Sequence, residues 1–499
     1  MVSNRRHGTV VVGLGRSGIG AARLLQARGE AVRLLESRSD AALEQRAAAL
    51  RSEGIETLLG IPLDATAIEA LDPAPARVVV SPGIRFDHPA LEELRGLGVR
   101  VEGELVEAWE AGSRVPWIGI TGTNGKTTVT HLVHHLLTAG GLDAPQCGNV
   151  GTSAAEVVLE RIARGTGADP GRSLPDWLVV ELSSYQIEAA PRLAPRIGIW
   201  TTLTPDHLER HGTLEAYRAI KRRLLDNAEL RILNGDDPDL RSRAASWDHA
   251  SWITAGPRQA ALDAGLDPHL WIEAGQVWDA SGPLFSATAL AMPGDHNRRN
   301  MLMATAAGLA AGLSPAVLEA GLRTFPGVPH RLERIRELAG VQWFNDSKAT
   351  NYDAAEVALQ ALSGPLVVLA GGQSKQGDAA GWIAELKRQA AAVIPLRRRP
   401  RGVRGPAPGG RLRGPDRERR GDGGGGASGG RSGPRWWLLG RAALARLRQL
   451  RSVQRFRGTR RPFPAARSGT LRPPGGPRPQ RPAPLLDPHH PLQPPWPTG

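Results

Sequence analysis

At 499 residues the chain is too long for one ordinary hydrophobic core, so two or three domains are expected. Cys147 is its only cysteine, which excludes an internal disulfide and fits a reducing compartment. The net charge of +14 is not spread along the chain: residues 396–499 carry 24 Arg, no Lys and four acids, a net of +20, which leaves residues 1–395 at −6.

The N-terminus, Met1 to His7, has no apolar core of signal-peptide length, and no later run is long enough for a membrane helix. A soluble cytoplasmic protein is expected. Thr9-Val10-Val11-Val12 is a short apolar run ending in glycines, followed by a helical pattern from Ile19 to Leu25. Similar runs are Ala31 to Leu35, ending at Glu36, and Arg77 to Val80, ending at Ser81-Pro82-Gly83. A new unit opens at Trp117 to Ile120 and continues with Trp177 to Val180 and Ile197 to Trp200; a third set comprises Val341 to Phe344 and Leu366 to Ala370. Strands alternating with helical patterns imply α/β architecture with parallel sheets and right-handed crossovers. Boundaries near 110 and 330 divide the chain into domains 1–110, 111–330 and 331–395, the last being the start of an incomplete domain. From about 396 the apolar period stops, and an Arg/Pro/Gly composition that cannot offset chain entropy predicts disorder. Only Trp436 to Leu450 could form a basic helix there.

The strongest motif is Ile120-Thr121-Gly122-Thr123-Asn124-Gly125-Lys126-Thr127-Thr128, between a strand and a helical pattern. Glycines let backbone N–H groups wrap phosphate oxygens at a helix N-terminus; Lys126 would neutralise phosphate charge, and the Thr127 hydroxyl would ligate Mg²⁺. The first glycine departs from the standard phosphate-loop spacing, since position 120 is Ile, and a plain glycine turn is the alternative. Gly13-Leu14-Gly15-Arg16-Ser17-Gly18 has the spacing of a diphosphate-cradling loop, with Glu36 at the end of the next strand, where it could meet a ribose or base. Alone it would suit a dinucleotide enzyme equally well. Glu181 to Gln186 and Thr204 to His211 each follow a predicted strand, and Glu181 and His207 could complete a metal shell beside a triphosphate. The alternative for each is an ordinary polar loop residue.

In order along residues 1–395, Thr121 to Thr128, Gly148-Asn149-Val150-Gly151, Glu181 to Gln186, Asp206-His207, Tyr217 with Lys221, Gly294 to Asn297 with Asn300, and Pro329-His330-Arg331 resemble the motifs of the Mur ligases. Val80 to Ile84 with His88-Pro89, and Asn345-Asp346-Ser347-Lys348-Ala349-Thr350-Asn351, resemble the branch of that family that adds D-glutamate. The resemblance implies a three-domain architecture: a Rossmann-like UDP domain, a central ATPase domain and a Rossmann-like C-terminal domain. It implies ligation of D-glutamate to UDP-N-acetylmuramoyl-L-alanine through an acyl phosphate, with ATP and Mg²⁺ (two ions) as cofactors, in a monomer with neither membrane nor nucleic acid as partner. It places Gly15, Arg16, Ser17, Glu36, Ser37, Arg38, Ser81, Gly83, Asn149 and Ser183 around the UDP-linked substrate. Gly122, Thr123, Asn124, Gly125, Lys126, Thr127, Thr128, Asn297, Arg331 and Asp346 would serve ATP. Thr127, Glu181, His207 and Lys221 would serve the metal, with Lys221 as a carbamate. Lys126, His207, Lys221 and Lys348 would take part in catalysis, and Thr350 and Lys375 would approach D-glutamate. Read without the resemblance, Lys221 is a surface helix lysine beside Arg222 and Arg223.

Such an enzyme should end with a Phe-Gly strand end and a later Ser-Pro…Phe-Asp loop, and neither is present. Both become available if the tail is read one base forward. Leu396-Arg397 can become Phe-Gly, Leu444 to Leu450 can become Ser-Pro-Gly-Phe-Asp-Ser-Phe, and Arg457 to Phe463 can become Glu-Ala-Arg-Gly-Asp-His-Phe. The tail therefore reads as a shifted frame. The alternatives are another amide ligase of the Mur or folylpolyglutamate type, or a phosphate-loop NTPase with a basic nucleic-acid arm; an arm built from Arg without any Lys argues against the last.

Overall fold

A computed structural model describes residues 8–163, 174–338, 340–349, 351–371, 379–396 and 435–439. These fall into two compact units, one ending at Pro326 and one beginning at Gly327.

The first unit contains two sheets. Strands β1 (Thr9–Val12), β2 (Val32–Glu36), β3 (Glu56–Leu59), β4 (Arg77–Val80) and β5 (Arg100–Gly103) form a parallel sheet of order β3-β2-β1-β4-β5. Every residue of β1 is buried because both faces are covered: Val10 and Val12 pack with Val78, Val80 and Leu91, while Val11 packs with Ala21, Leu25 and Leu34 on the other side. In register, Val12 lies opposite Leu35 and Val80. The chain thus leaves three neighbouring strands at one edge, at Gly13, Glu36 and Ser81, and helix α1 (Arg16–Ala27) begins there.

The second sheet has nine strands: β6 (Trp117–Thr121), β7 (Gln146–Gly148), β8 (Leu178–Glu181), β9 (Ile197–Trp200), β10 (Leu230–Asn234), β11 (Ala250–Thr254), β12 (Leu270–Glu273), β13 (Gln276–Asp279) and β14 (Gly282–Ser286). Their order is β14-β13-β12-β11-β10-β9-β6-β8-β7, parallel except for the antiparallel meander β12-β13-β14. Helix α2 (Lys126–Ala139) follows β6, α3 (Leu214–Asp226) precedes β10, and α4 (Asp295–Ala310) packs beside α2 over one face. The meander and β10 to β12 were not legible in the sequence.

The second unit holds β15 (Glu333–Leu338), β16 (Val341–Asn345), β17 (Leu366–Gly371), β18 (Ala390–Leu396) and β19 (Arg435–Leu439), with helices α5 (Tyr352–Ala361) and α6 (Ala380–Gln389). Its sheet is mixed, in the order β15-β16-β19-β17-β18. One expectation is corrected here. The segment from Trp436 starts as a strand rather than a basic helix, because β19 pairs antiparallel with both β16 and β17 and meets the backbone groups those strands leave open. A local sequence pattern carries no sign of such a distant partner. In the apolar run of β17, Leu366, Val367 and Val368 are buried and Leu369 is half-buried. No helix among the described residues is long and apolar enough to cross a membrane.

Candidate active site

At the edge where β1, β2 and β4 end lies a cavity of about 700 Å³. Of the residues expected around a UDP-linked substrate, Gly15, Arg16, Ser17, Glu36, Ser37, Arg38, Ser81, Gly83 and Asn149 all line it. The glycine loop is close-packed: a Cβ on Gly18 would lie 2.0 Å from the Gly13 carbonyl oxygen and 2.7 Å from the Ser81 hydroxyl. The Glu36 carboxylate, expected to meet a ribose or base, is engaged by protein donors. It accepts from Leu14 N–H at 3.1 Å and from the N–H and guanidinium of Arg38, each at 3.2 Å. Burial pushes its carboxyl up, but these bonds outweigh burial and hold it below its ordinary value. Arg16 reaches the carbonyls of Gly148 and Gly151, joining the loop to the segment after β7. Ser183 does not line the cavity. Its hydroxyl caps the short helix Ser184–Glu188 in a reciprocal box with Gln186.

The second glycine loop, Gly122 to Gly125, connects β6 to α2 with positive φ at both glycines. It is pinned by the segment after β9: Asn124 N–H donates to the Thr202 hydroxyl at 2.9 Å, and the Thr123 hydroxyl donates to the Thr204 carbonyl at 3.0 Å. Lys126 folds back over the loop, donating to the carbonyls of Gly122 and Thr123 at 2.8 Å each. Thr127 and Thr128 are buried at the start of α2. Asn297, buried on α4, donates to Pro293 O at 2.7 Å and accepts from Asn300, which itself comes close to Gly125.

Lys221 is not the surface residue its neighbours Arg222 and Arg223 suggest. It is 1% exposed, 4.5 Å above the Tyr217 ring, and donates to Gly122 O at 2.9 Å and to the Thr121 hydroxyl at 3.3 Å. Burial, reinforced by the charge of Lys126, pushes its amine well below the usual lysine value, against the pull of Asp206 and Glu181. Glu181 is buried at the end of β8; one oxygen accepts from the Asn149 amide at 2.8 Å and the other has no hydrogen-bond partner. His207 is 41% exposed, with a left-handed backbone, beside Asp206 at 3.5 Å and against the Tyr185 ring. Among the described residues no three His, Cys, Asp or Glu side chains converge as a ready-made metal shell.

In the second unit, Asp346 is buried at the end of β16 and accepts from Leu332 N–H at 3.1 Å. Burial raises its carboxyl to about 6 despite the nearby charge of Arg331. Lys348 N–H donates to His330 O at 3.1 Å, which ties the Pro329-His330-Arg331 turn to the Asn345–Asn351 segment. Thr350 and Lys375 lie outside the described residues.

The cavity is also lined by Ile61, Leu63, Arg85, His88 and Gln186, none of which stands among the expected site residues. Ile61 and Leu63 follow β3, a strand with no clear apolar run, so nothing local marked them. His88 and Gln186 sit inside quoted motifs, and their position there was the available signal.

Two glycine loops, each at a strand-to-helix turn of its own α/β sheet, have the form of loops that cradle phosphate in nucleotide-dependent enzymes. The chain belongs to the Mur ligases. Its residues 7–103 match the family model described as Mur ligase MurD-like, N-terminal domain, 120–308 match Mur ligase middle domain, and 330–415 match Mur ligase, glutamate ligase domain. It is 58% identical over 390 residues to the UDP-N-acetylmuramoylalanine–D-glutamate ligase of Parasynechococcus marenigrum (strain WH8102), covering 77% of this chain and 82% of that one. The enzymes of the same name from Synechococcus sp. (strain CC9605) and Prochlorococcus marinus (strain MIT 9313) are 56% and 57% identical over 387 and 389 residues, with the same coverage.

Proposed function

We infer that this chain is built for ATP-dependent ligation of D-glutamate to UDP-N-acetylmuramoyl-L-alanine, in the synthesis of peptidoglycan precursors. The substrate carboxylate attacks the γ-phosphorus of ATP, giving an acyl phosphate and ADP. The D-glutamate amine then adds to the acyl carbon, and collapse of the tetrahedral intermediate releases inorganic phosphate and leaves the amide. Both steps depend on alignment and on offsetting phosphoryl charge. The observation that carries this reading is Asn149, which lines the cavity and donates to Glu181 beside the ATP loop, so that one side chain touches both ligand regions.

Residues 1–110 would hold the UDP moiety through the cavity, 111–330 would hold ATP, and 331–395 would present D-glutamate through Thr350 and Lys375. Lys126 would move from the loop carbonyls to the β- and γ-phosphates, while Asn297, Arg331 and Asp346 would meet the nucleotide and Lys348 would shape closure. The open Glu181 oxygen fits a divalent cation. Thr127, Glu181 and His207 would hold Mg²⁺, which supplies charge neutralisation. Lys221 would hold a second ion as a carbamate: burial lowers the pKa of its amine, which would add to CO₂ and lose a proton to give an anionic ligand. The cytoplasm and a monomeric state complete the reading, with small molecules as the only partners.

We also propose that residues 396–499 are the product of a shifted frame. The span matched to the relatives is close in length to the 395 residues before the tail, whose composition changes abruptly there.

Calorimetry on the 499-residue chain tests the two-site reading. Lys126→Ala should weaken Mg-ATP roughly tenfold to a hundredfold, as loss of a charge-assisted contact does, and leave UDP-N-acetylmuramoyl-L-alanine unchanged. Equal weakening of both ligands would sink it.

A further inference from the structure

Behind the cavity lies a carboxyl group that the reaction above leaves unused. Glu104 follows β5 directly, opening the helix Glu104–Ala111. Backbone contact fixes its place: Gly103 N–H donates to Ala189 O at 2.9 Å, and a Cβ on Gly103 would lie 2.6 Å from the Ala189 side chain. The segment gripped in this way also carries Gln186. The Gln186 carbonyl oxygen is committed to Ser183, accepting from its N–H and its hydroxyl at 3.1 Å each. This leaves the Gln186 amide to donate to Glu104 Oε1 at 3.4 Å. The Ser17 hydroxyl lies at the same carboxyl, and Glu104 Oε2 is buried without a hydrogen-bond partner.

Glu107, three residues on, shows the contrasting case. It is equally buried, and one of its oxygens likewise has no hydrogen-bond partner, but it is paired with the Arg77 guanidinium at 3.1 Å, and neither side chain lines the cavity. Glu104 meets neutral donors, and both side chains that hold it, Ser17 and Gln186, line the cavity. We propose that Glu104 is a positioning residue for the UDP-linked substrate, holding the Gln186 amide and the Ser17 hydroxyl in the orientation they present to that ligand. The inference rests on the UDP reading of the cavity. Burial raises the Glu104 carboxyl to about 7, so a proton is available on it near neutrality. The carboxyl accepts from the Gln186 amide and from the Ser17 hydroxyl, and these two bonds fix both side chains at the cavity wall.

The test titrates UDP-N-acetylmuramoyl-L-alanine and, separately, Mg-ATP into the full chain and three variants. Glu104→Met keeps the length without hydrogen bonds, Glu104→Asp withdraws the carboxyl, and Glu104→Gln keeps one donor and one acceptor. Met and Asp should each raise the Kd for the UDP ligand about tenfold, Gln by no more than about threefold, with Mg-ATP affinity unchanged in all three. If Glu104→Met melts too early to be read, Glu104→Asp carries the comparison. Wild-type affinity in the readable variants would overturn the proposal. So would a Gln variant as weak as the others, or a parallel loss of ATP binding. Failure of the unmodified chain to bind the UDP ligand would instead overturn the reading of the cavity itself, and the proposal with it.

Discussion

Around its two glycine loops the first unit buries β1, β6 and β8 from end to end, whereas in the second unit β15 leaves Ile335 and Leu338 about half exposed at one edge and β18 leaves Val393 about half exposed at the other. The difference is one of completion. Both glycine loops of the first unit sit on sheets covered on each face, and the buried charged residues nearby are held by hydrogen bonds: Glu181 accepts from the Asn149 amide, and Lys221 donates to the Gly122 carbonyl. The second unit instead fills the centre of its sheet with β19, a strand from the Arg-rich tail. Nucleotide binding and amide formation should therefore be separable in this chain, since only the second requires the D-glutamate side.

The largest effect is expected at Lys221. In a frame-restored enzyme, Lys221→Ala should lower turnover roughly a hundredfold or more, as removal of an organised charge at a phosphoryl site does. Added bicarbonate or short-chain carboxylates should restore part of it. Absence of rescue under every condition would return Lys221 to the role of a buried structural amine.

A smaller effect is expected with pH. Glu104 is raised from 4.5 to about 7 by burial. A carboxyl raised on folding favours the native state below its unfolded pKa, and that contribution is lost as pH rises through the folded value. The first unit should thus lose stability between pH 4.5 and 7, by ~3 kcal/mol from Glu104 at most. Glu104→Gln should flatten the slope in a series of thermal melts. In the second unit, burial raises Asp346 from 3.8 to about 6, so its window should close about a pH unit earlier. An unchanged slope in the Gln variant would mean that Glu104 finds a partner as pH rises.

How much of this was legible in the sequence follows from how local each signal is. β1, β4, β6 and β9 are four- or five-residue apolar runs buried on both faces, and Gly13 to Gly18 and Gly122 to Lys126 sit where strand turns to helix, so both loops could be placed in advance. The residues lining the cavity from those loops followed. Glu104 did not, because Glu104-Leu105-Val106-Glu107 reads as an ordinary helix start, and only tertiary packing reveals that both carboxyls are buried. Lys221 was misleading for the opposite reason: flanked by arginines, it sits on the buried face of α3, whose inward positions Tyr217, Lys221 and Leu224 are spaced by helical turns. β19 was invisible because its partners lie far away in the chain.

If the proposed frame shift after Pro395 holds, the first unit keeps both glycine loops in covered sheets while the chain loses its ligation step. Phosphate release that depends on D-glutamate, measured with Mg-ATP and UDP-N-acetylmuramoyl-L-alanine, compares the 499-residue chain with one whose frame is restored after that residue. Turnover is expected in the restored enzyme and little or none in the chain as it stands, with similar affinity of both for the UDP ligand. Equal turnover in the two would contradict the proposed frame shift, and would make the Arg-rich tail a working part of the third sheet.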